Sequence, residues 1–389
     1  MGRVLRLKGV RPRLRARLLL ARAAALRTAG SPHAAADDYA EAIRLAQDAG
    51  LKSVEAEALA GAGTLHLAGG RLRSARHNLQ AALGRFEELG DGWGAARARS
   101  ALAWVHRDQE RPDRALPLLE RALDDLRAHG DHLSAADAIV RAAWLDLDQG
   151  AAAEARTRFL QALAILRNAG RRASEAGALT GLAEAQGALG RAPEGRRLCE
   201  QAIGLARQVG DRPREVRALL SLGVLDQQQG RLRTARVALD AARRIAQDHD
   251  LPVETAQATA QLGQLILQAG DPTGAEPLLV AALAAARRME MPALEAEVSS
   301  ALGLCLARLG RSGAARAYLR RAESIFREGN RSGALALHLA GLAEVETLRG
   351  DRAAATAALR EARAVAKRLP AGLSAAVDLQ MERAAPRPR

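Results

Sequence analysis

Gly70–Arg76 reads GRLRSAR, and Gly230–Arg236 reads GRLRTAR. The two heptapeptides differ at one position, and four intervals of 40 separate the start of one from the start of the other. Stepping through the chain by 40 gives Gly30, Gly70, Glu110, Gly150, Gly190, Gly230, Gly270, Gly310 and Gly350. A second series falls halfway between: Gly50, Gly90, Gly130, Gly170, Gly210, Asp250 and Glu290, then Gly329 one place early. Glycine enters left-handed backbone at little cost and is the usual residue just past a helix end. Such punctuation about every 20 residues predicts helix, turn, helix, turn along nearly the whole chain, and a fixed period of this size marks a stacked repeat.

Aligning the windows shows what repeats. Seven residues before each glycine of the first series stands a small residue: Ala23, Gly63, Ala103, Ala143, Ala183, Gly223, Gly263, Gly303, Ala343. Five after it comes another, Ala35 through Ala355 with Gly195 as the one glycine. Four further on the residue is bulkier: Tyr39, Leu79, Leu119, Phe159, Cys199, Leu239, Leu279, Leu319, Leu359. Three further again it is Ala in all nine windows, Ala42 through Ala362. Steps of four and three are helical spacing, so each window holds two amphipathic helices. In the second window they run from about Val54 to Ala68 and from about Leu72 to Leu89. One short hairpin cannot cover both of its faces, and stacked neighbours supply the rest. GRLR[ST]AR is thus a turn and the start of a second helix, and it need not bind anything.

Leu precedes the small residue at Leu102, Leu182, Leu222, Leu262, Leu302 and Leu342, and this Leu-Gly/Ala pair in the first helix with the Ala, bulky, Ala series in the second resembles the tetratricopeptide repeat over residues 13–368. The period of 40 resembles the repeat arrays of bacterial transcriptional activators related to the maltose-regulon activator, of kinesin light chains and of G-protein-regulator scaffolds. The resemblance implies an all-α fold, an α-solenoid wound as a right-handed superhelix of about nine hairpins. The chain then divides into a basic segment over residues 1–12, a solenoid over 13–370, a capping helix over 371–384 and a disordered tail over 385–389. Arg22 stands where other windows carry Leu or Ala, as suits a terminal repeat meeting solvent.

The net charge of +14 raises nucleic acid as a partner, but its placement argues against one. Residues 1–30 hold nine basic residues and no acid, and Arg383, Arg387 and Arg389 add three more. Residues 31–382 carry 46 basic against 44 acidic residues, so the repeat body is close to neutral. No run of 18 uncharged apolar residues marks a membrane span. Cys199 and Cys305 form neither a disulfide framework nor a zinc signature, which points to a reducing, cytoplasmic setting. Both fall in apolar helical slots and read as core thiols.

No phosphate-binding glycine loop, HExxH, GxSxG or CxxC is present. His66, His106 and Asp146 share one slot in three successive windows. Helix layers stand about 8–10 Å apart, whereas zinc ligands converge within about 2.2 Å of one ion, so hydrogen bonding between helices is the simpler use. No catalytic residue, cofactor site or metal site is expected.

The three tryptophans, Trp93, Trp104 and Trp144, cluster in a short part of the chain. Trp93, Arg97, Ser100 and Trp104 are spaced to share one helix face, and Leu133, Asp137, Val140 and Trp144 repeat the pattern. These slots resemble the first-helix positions that line the groove of tetratricopeptide proteins. With Arg107, Arg141, Thr180 and Glu184 beside them they make a candidate groove for a peptide or helix of another protein, since Trp and Arg dominate interface hot spots. The competing reading is that the tryptophans pack between helices. The basic clamp the family uses for C-terminal carboxylates is not recognisable, its positions being Ser100, Ala101 and Trp104. Gln227, Gln228, Gln257, Gln261, Gln264 and Gln268 put amides on corresponding slots of two later windows. They read either as solvated filler or as partners for an extended backbone. The sequence therefore predicts a non-enzymatic adaptor. A sensor component of a signalling or transcription system is the alternative, and nucleic-acid binding through the Arg-rich N-terminus ranks third. Residues 1–20 packing against a second protomer remains an open alternative.

Overall fold

The computed structural model describes residues 12–28, 31–109, 111–329, 331–369 and 371–384. Nineteen helices and no strand occur among them. The basic segment 1–12, apart from Pro12, and the tail 385–389 lie outside the described residues.

The chain divides into two compact units, one ending at Ala138 and one beginning at Ile139, where repeat spacing alone gives a single array. The first contains α1 (Pro12–Thr28), α2 (Pro32–Asp48), α3 (Lys52–Ala68), α4 (Leu72–Glu88), α5 (Gly92–Asp108) and α6 (Pro112–Ala128). The boundary falls inside α7 (His132–Asp148). The second contains α8 (Ala152–Asn168), α9 (Arg172–Ala188), α10 (Ala192–Val209), α11 (Arg212–Gln228), α12 (Leu232–Asp248) and α13 (Pro252–Gln268). It continues with α14 (Pro272–Arg288), α15 (Pro292–Arg308), α16 (Ser312–Glu328), α17 (Ser332–Leu348), α18 (Arg352–Ala366) and α19 (Ala371–Ala384). Each unit is a run of stacked helical hairpins, the α-solenoid class: α3 pairs with α4 and then α5 in the first, α11 with α12 and then α13 in the second. α19 packs on α17 and α18.

The turns follow from backbone chemistry. Gly70 takes φ +68° after α3, and the Arg71 N–H donates to the His66 carbonyl at 2.9 Å. This six-to-one bond satisfies a carbonyl that the helix end would otherwise leave without a partner. Gly230 and Arg231 repeat it on Asp226, also at 2.9 Å, so the two GRLR copies close the same kind of helix end. The repeat enforces this geometry where glycine is missing: Asp250 and Glu290 stand at φ +51° and +56°. Gly329, one place out of register, has an ordinary φ of −82°.

Side-chain size sets the phase of packing. A Cβ placed on Gly223 would meet Leu239 at 2.6 Å, and Gly63, Gly263 and Gly303 stand in the same relation to Leu79, Leu279 and Leu319. In these four hairpins the small slot of the first helix therefore receives the bulky slot of the second. The nine invariant alanines are all buried. Cys199 and Cys305 are buried too, and burial raises both thiol pKa values. At the N-terminal end, Arg22 is not simply solvated. It is half-buried and holds the buried Asp38 carboxylate through two hydrogen bonds of 2.5 Å.

Two substitutions test this account by denaturant midpoint. Asp250→Gly relieves left-handed backbone at an exposed turn and should stabilise by about 1 kcal/mol. Gly223→Val forces a branched side chain onto Leu239 and should destabilise by about 1–3 kcal/mol. Equal midpoints for the two variants would contradict it.

Candidate functional site

The register that faces Leu239 with a small residue turns other slots of each first helix the opposite way. In the second unit these slots line a cavity of about 460 Å3. α11 supplies Val224, Gln227 and Gln228, and α13 supplies Gln261, Gln264, Leu267 and Gln268. α15 contributes Glu297, Ser300, Leu304 and Arg308, and α17 contributes Leu337, His338, Gly341 and Glu344. Phe326 and Gln380, the latter from α19, complete the wall. Val224, Gln264, Leu304 and Glu344 follow one another at the repeat period, one slot read in four repeats. It is also the slot of Trp104 and Trp144.

Most charge in this wall is already compensated. Arg308 meets Glu344 at 2.7–2.8 Å and donates to the Leu267 carbonyl, which faces the open end of α13, at 2.8 Å. Glu297 accepts from Arg331 at 3.1 Å. Burial pushes the Glu297 carboxyl up, Asp148 pushes the same way, and Arg331 opposes both. His338 is 2% exposed, shares a 2.9 Å hydrogen bond through Nδ1 with the Ser300 hydroxyl, and packs against Phe326. The amides divide into two kinds. Gln227 donates to Gln268 at 2.6 Å. Gln261 and Gln264, one turn apart on α13 and half-buried, make no side-chain hydrogen bond among the described residues. The wall thus offers amides that can both donate and accept above an apolar floor.

The residues singled out by the tryptophan pattern are divided between the units. In the first, Trp93 is 41% exposed, donates from Nε1 to Asp131 at 2.6 Å, and lies under the Arg97 guanidinium at 4.5 Å. Although partial burial opposes it, hydrogen bonds from Ser134 and Trp93 with Arg97 nearby hold the Asp131 carboxyl below its ordinary pKa. Arg107 stacks on half-buried Trp104 at 4.4 Å. Ser100 is buried and Asp137 is exposed. In the second unit, Trp144 is 7% exposed and meets Phe159 edge-on at 5.6 Å, the packing use of a tryptophan. Thr180 is buried with its hydroxyl on the Ala176 carbonyl, and Glu184 accepts from Ser221 at 2.5 Å. Val140 and Arg141 are half-buried. Asp146, from the His66 and His106 slot, meets Arg158 at 2.7 Å, and burial raises its carboxyl to about 6. No metal-binding cluster occurs among the described residues.

Sequence reasoning noticed the amides but passed over Glu297, Ser300, Arg308, His338, Glu344 and Gln380. The repeat register would have found Glu297, Ser300 and Glu344, which hold the slots of Arg97, Ser100 and Trp104. Arg308 holds the slot of Gln228 and Gln268, one repeat further on, whereas His338 and Gln380 fall outside the slots singled out and are brought in by tertiary packing.

A tetratricopeptide repeat profile matches residues 54–128 and 174–248, and a second matches 260–331. Together they span more than half of the sequence, and the chain belongs to the tetratricopeptide repeat family. Comparison with curated proteins gives no match. Among solved structures, the chain is similar to a Rap protein complexed with competence and sporulation factor, with TM-score 0.56 and 15% identity over 85% of this chain and 97% of that one. It is also similar to the Rap conjugation gene regulator of plasmid pLS20 in complex with the Phr* peptide, with TM-score 0.51 and 13% identity over 75% and 95%. The apo quorum sensor NprR from B. thuringiensis gives TM-score 0.54 and 12% identity over 84% and 90%. At such identities the likeness is one of fold.

His338 makes a pH test. Burial, with a smaller push from Arg327, lowers its imidazole to about 4. The unfolded chain protonates near 6.5, so stability is complete above that pH and falls as pH drops toward 4, by on the order of 3 kcal/mol. Urea titrations should show the stability of the native chain relative to His338→Asn falling by that amount between pH 6.5 and 4, the opposing contribution of the raised Asp146 carboxyl being common to both. An equal slope in both would contradict the assignment.

Proposed function

We propose that the chain is a binding protein and not a catalyst, and that the second unit holds an extended peptide segment of a partner in its amide-lined cavity. The observation that carries this reading is the pair Gln261 and Gln264. Both are half-buried in the cavity wall and neither has a protein partner among the described residues. A backbone amide offers one donor and one acceptor, and a glutamine side chain answers both. The volume suits a small ligand or a few residues of chain, and Val224, Leu267, Leu304 and Leu337 would take an apolar side chain. Two of the similar structures are complexes with a named factor or peptide, which supports the reading by analogy of fold.

The sensor alternative shares this site. It is favoured by the quorum-sensor and gene-regulator descriptions of the similar structures, and it adds that occupancy is signalled onward. The Trp93 face is a second docking surface in the first unit, with an exposed ring braced by Arg97 and Asp131. On α1, Arg15 binds Glu41 at 2.6 Å and Arg22 binds Asp38, so two of its arginines serve packing and not phosphate.

The test is an array of acetylated, amidated seven-residue peptides probed with the full chain. Gln261→Ala/Gln264→Ala should weaken the selected peptides about tenfold, the loss of two hydrogen bonds at roughly 0.5–1.5 kcal/mol each. Trp93→Ala should leave them unchanged. An array without binders, or binders indifferent to the double substitution, would overturn the assignment.

A further inference from the structure

Arg331 joins parts of the second unit that are far apart in sequence. It stands at the N-terminal cap of α17. One Nη contacts Glu297 of α15 at 3.1 Å, and the other contacts Asp148, the last residue of α7, at 3.5 Å. Four repeats and more of the chain separate Asp148 from Arg331. Both side chains are about four-fifths shielded from water, where an ion pair is screened less than at the surface. A second contact closes the same span: α19 touches α9 as well as α17 and α18. The Thr347 hydroxyl lies between the Ala343 carbonyl at 2.8 Å and the Ala384 carbonyl of α19 at 3.1 Å, and its one proton is shared between them. The last helices of this unit thus reach back to its first ones.

The cavity is part of this closure. Glu297 is both a cavity residue and a partner of Arg331, and Gln380 brings α19 into the wall. The Gln380 amide nitrogen lies over the bare backbone of Gly341, 3.4 Å from where a Cβ would stand. Packed interfaces of this kind change by discrete opening and not by gradual stretching, with the movement taken up at helix termini.

We propose that Arg331 is a latch that holds the second unit closed around its cavity, and that an extended segment enters and leaves by opening the Asp148–Arg331 contact. The latch itself is independent of what the cavity binds; its control of access rests on the peptide reading above. Arg331 acts through position, since one guanidinium serves two carboxylates on different helices. Loss of that charge leaves Asp148 and Glu297 without their shared cation and removes the attraction between the two ends of the unit.

The latch is tested without ligand on the full chain. Nitroxide labels at Arg172→Cys on α9 and Glu382→Cys on α19 occupy exposed sites, while Cys199 and Cys305 are buried against labelling. Electron double resonance should give one narrow distance with Arg331 present. Arg331→Gln and Asp148→Asn should each lengthen or broaden it by at least a helical turn, about 5 Å, and Arg331→Lys should retain most of the narrow component. If Arg331→Gln fails to fold, Asp148→Asn decides alone. An unchanged distribution in a folded Asp148→Asn overturns the latch and leaves the peptide reading standing. For access, Asp148→Asn should raise both association and dissociation rates of an array-selected peptide several-fold. Unchanged rates in a variant that has opened overturn the gating role. An array without binders removes the gating role together with the peptide reading, while the ligand-free distances still decide the latch.

Discussion

The small residue at Gly223 and its equivalents, glycine in four repeats and alanine in five, is the constraint on which the rest depends. Leu239 lies where a Cβ on Gly223 would stand, and three other repeats copy the arrangement with Leu79, Leu279 and Leu319. A bulky residue seated on bare backbone fixes the rotation of one helix against the next. Once that phase is set, the helical period dictates which slots face the following helix and which do not. The cavity slots of α11, α13, α15 and α17 follow from the same phase, so the wall of the candidate site is a consequence of packing on the other side of each helix.

Arginine does most of the electrostatic work. Acids of the His66 slot are held by arginines of an adjacent helix at 2.5–2.8 Å, Asp146 by Arg158 across its own hairpin and Asp226 by Arg196 of the preceding hairpin. In the first unit the buried Arg99 bridges Glu87 and Asp125 and so ties α4, α5 and α6 together. A guanidinium can meet two carboxylates in fixed directions, which a lysine ammonium does less well. The scarcity of lysine in the repeat body fits this use. Isolated surface pairs add little stability; these pairs matter because at least one member is shielded and would be costly to leave alone.

Much of the fold was legible because its signals are periodic. Turn glycines recur twice per repeat, the small slot and the invariant alanines once, and each has a direct physical role in the structure. Exceptions were legible only in part. Asp250 and Glu290 broke the glycine series in the sequence, yet the backbone there is left-handed all the same, because neighbouring helices impose the turn. The division at Ala138–Ile139 has no signature in a repeat that continues unchanged across it. For the candidate cavity, rare residues and repeat register point to different places. Trp144 drew notice as one of three tryptophans, but its ring is spent against Phe159. Gln261 and Gln264 are common residues in slots that leave their amides open to the cavity. Which amides find partners is decided by tertiary contacts, as with Gln227 and Gln268, and no single-sequence pattern encodes that.

The most direct measurement is nuclear magnetic resonance of the full chain labelled only at glutamine side-chain amides, titrated with a peptide that it binds. Shifts and slowed exchange confined to Gln261, Gln264 and their cavity neighbours would match the account. Shifts at glutamines of the first unit, with the α13 amides unmoved, would contradict it.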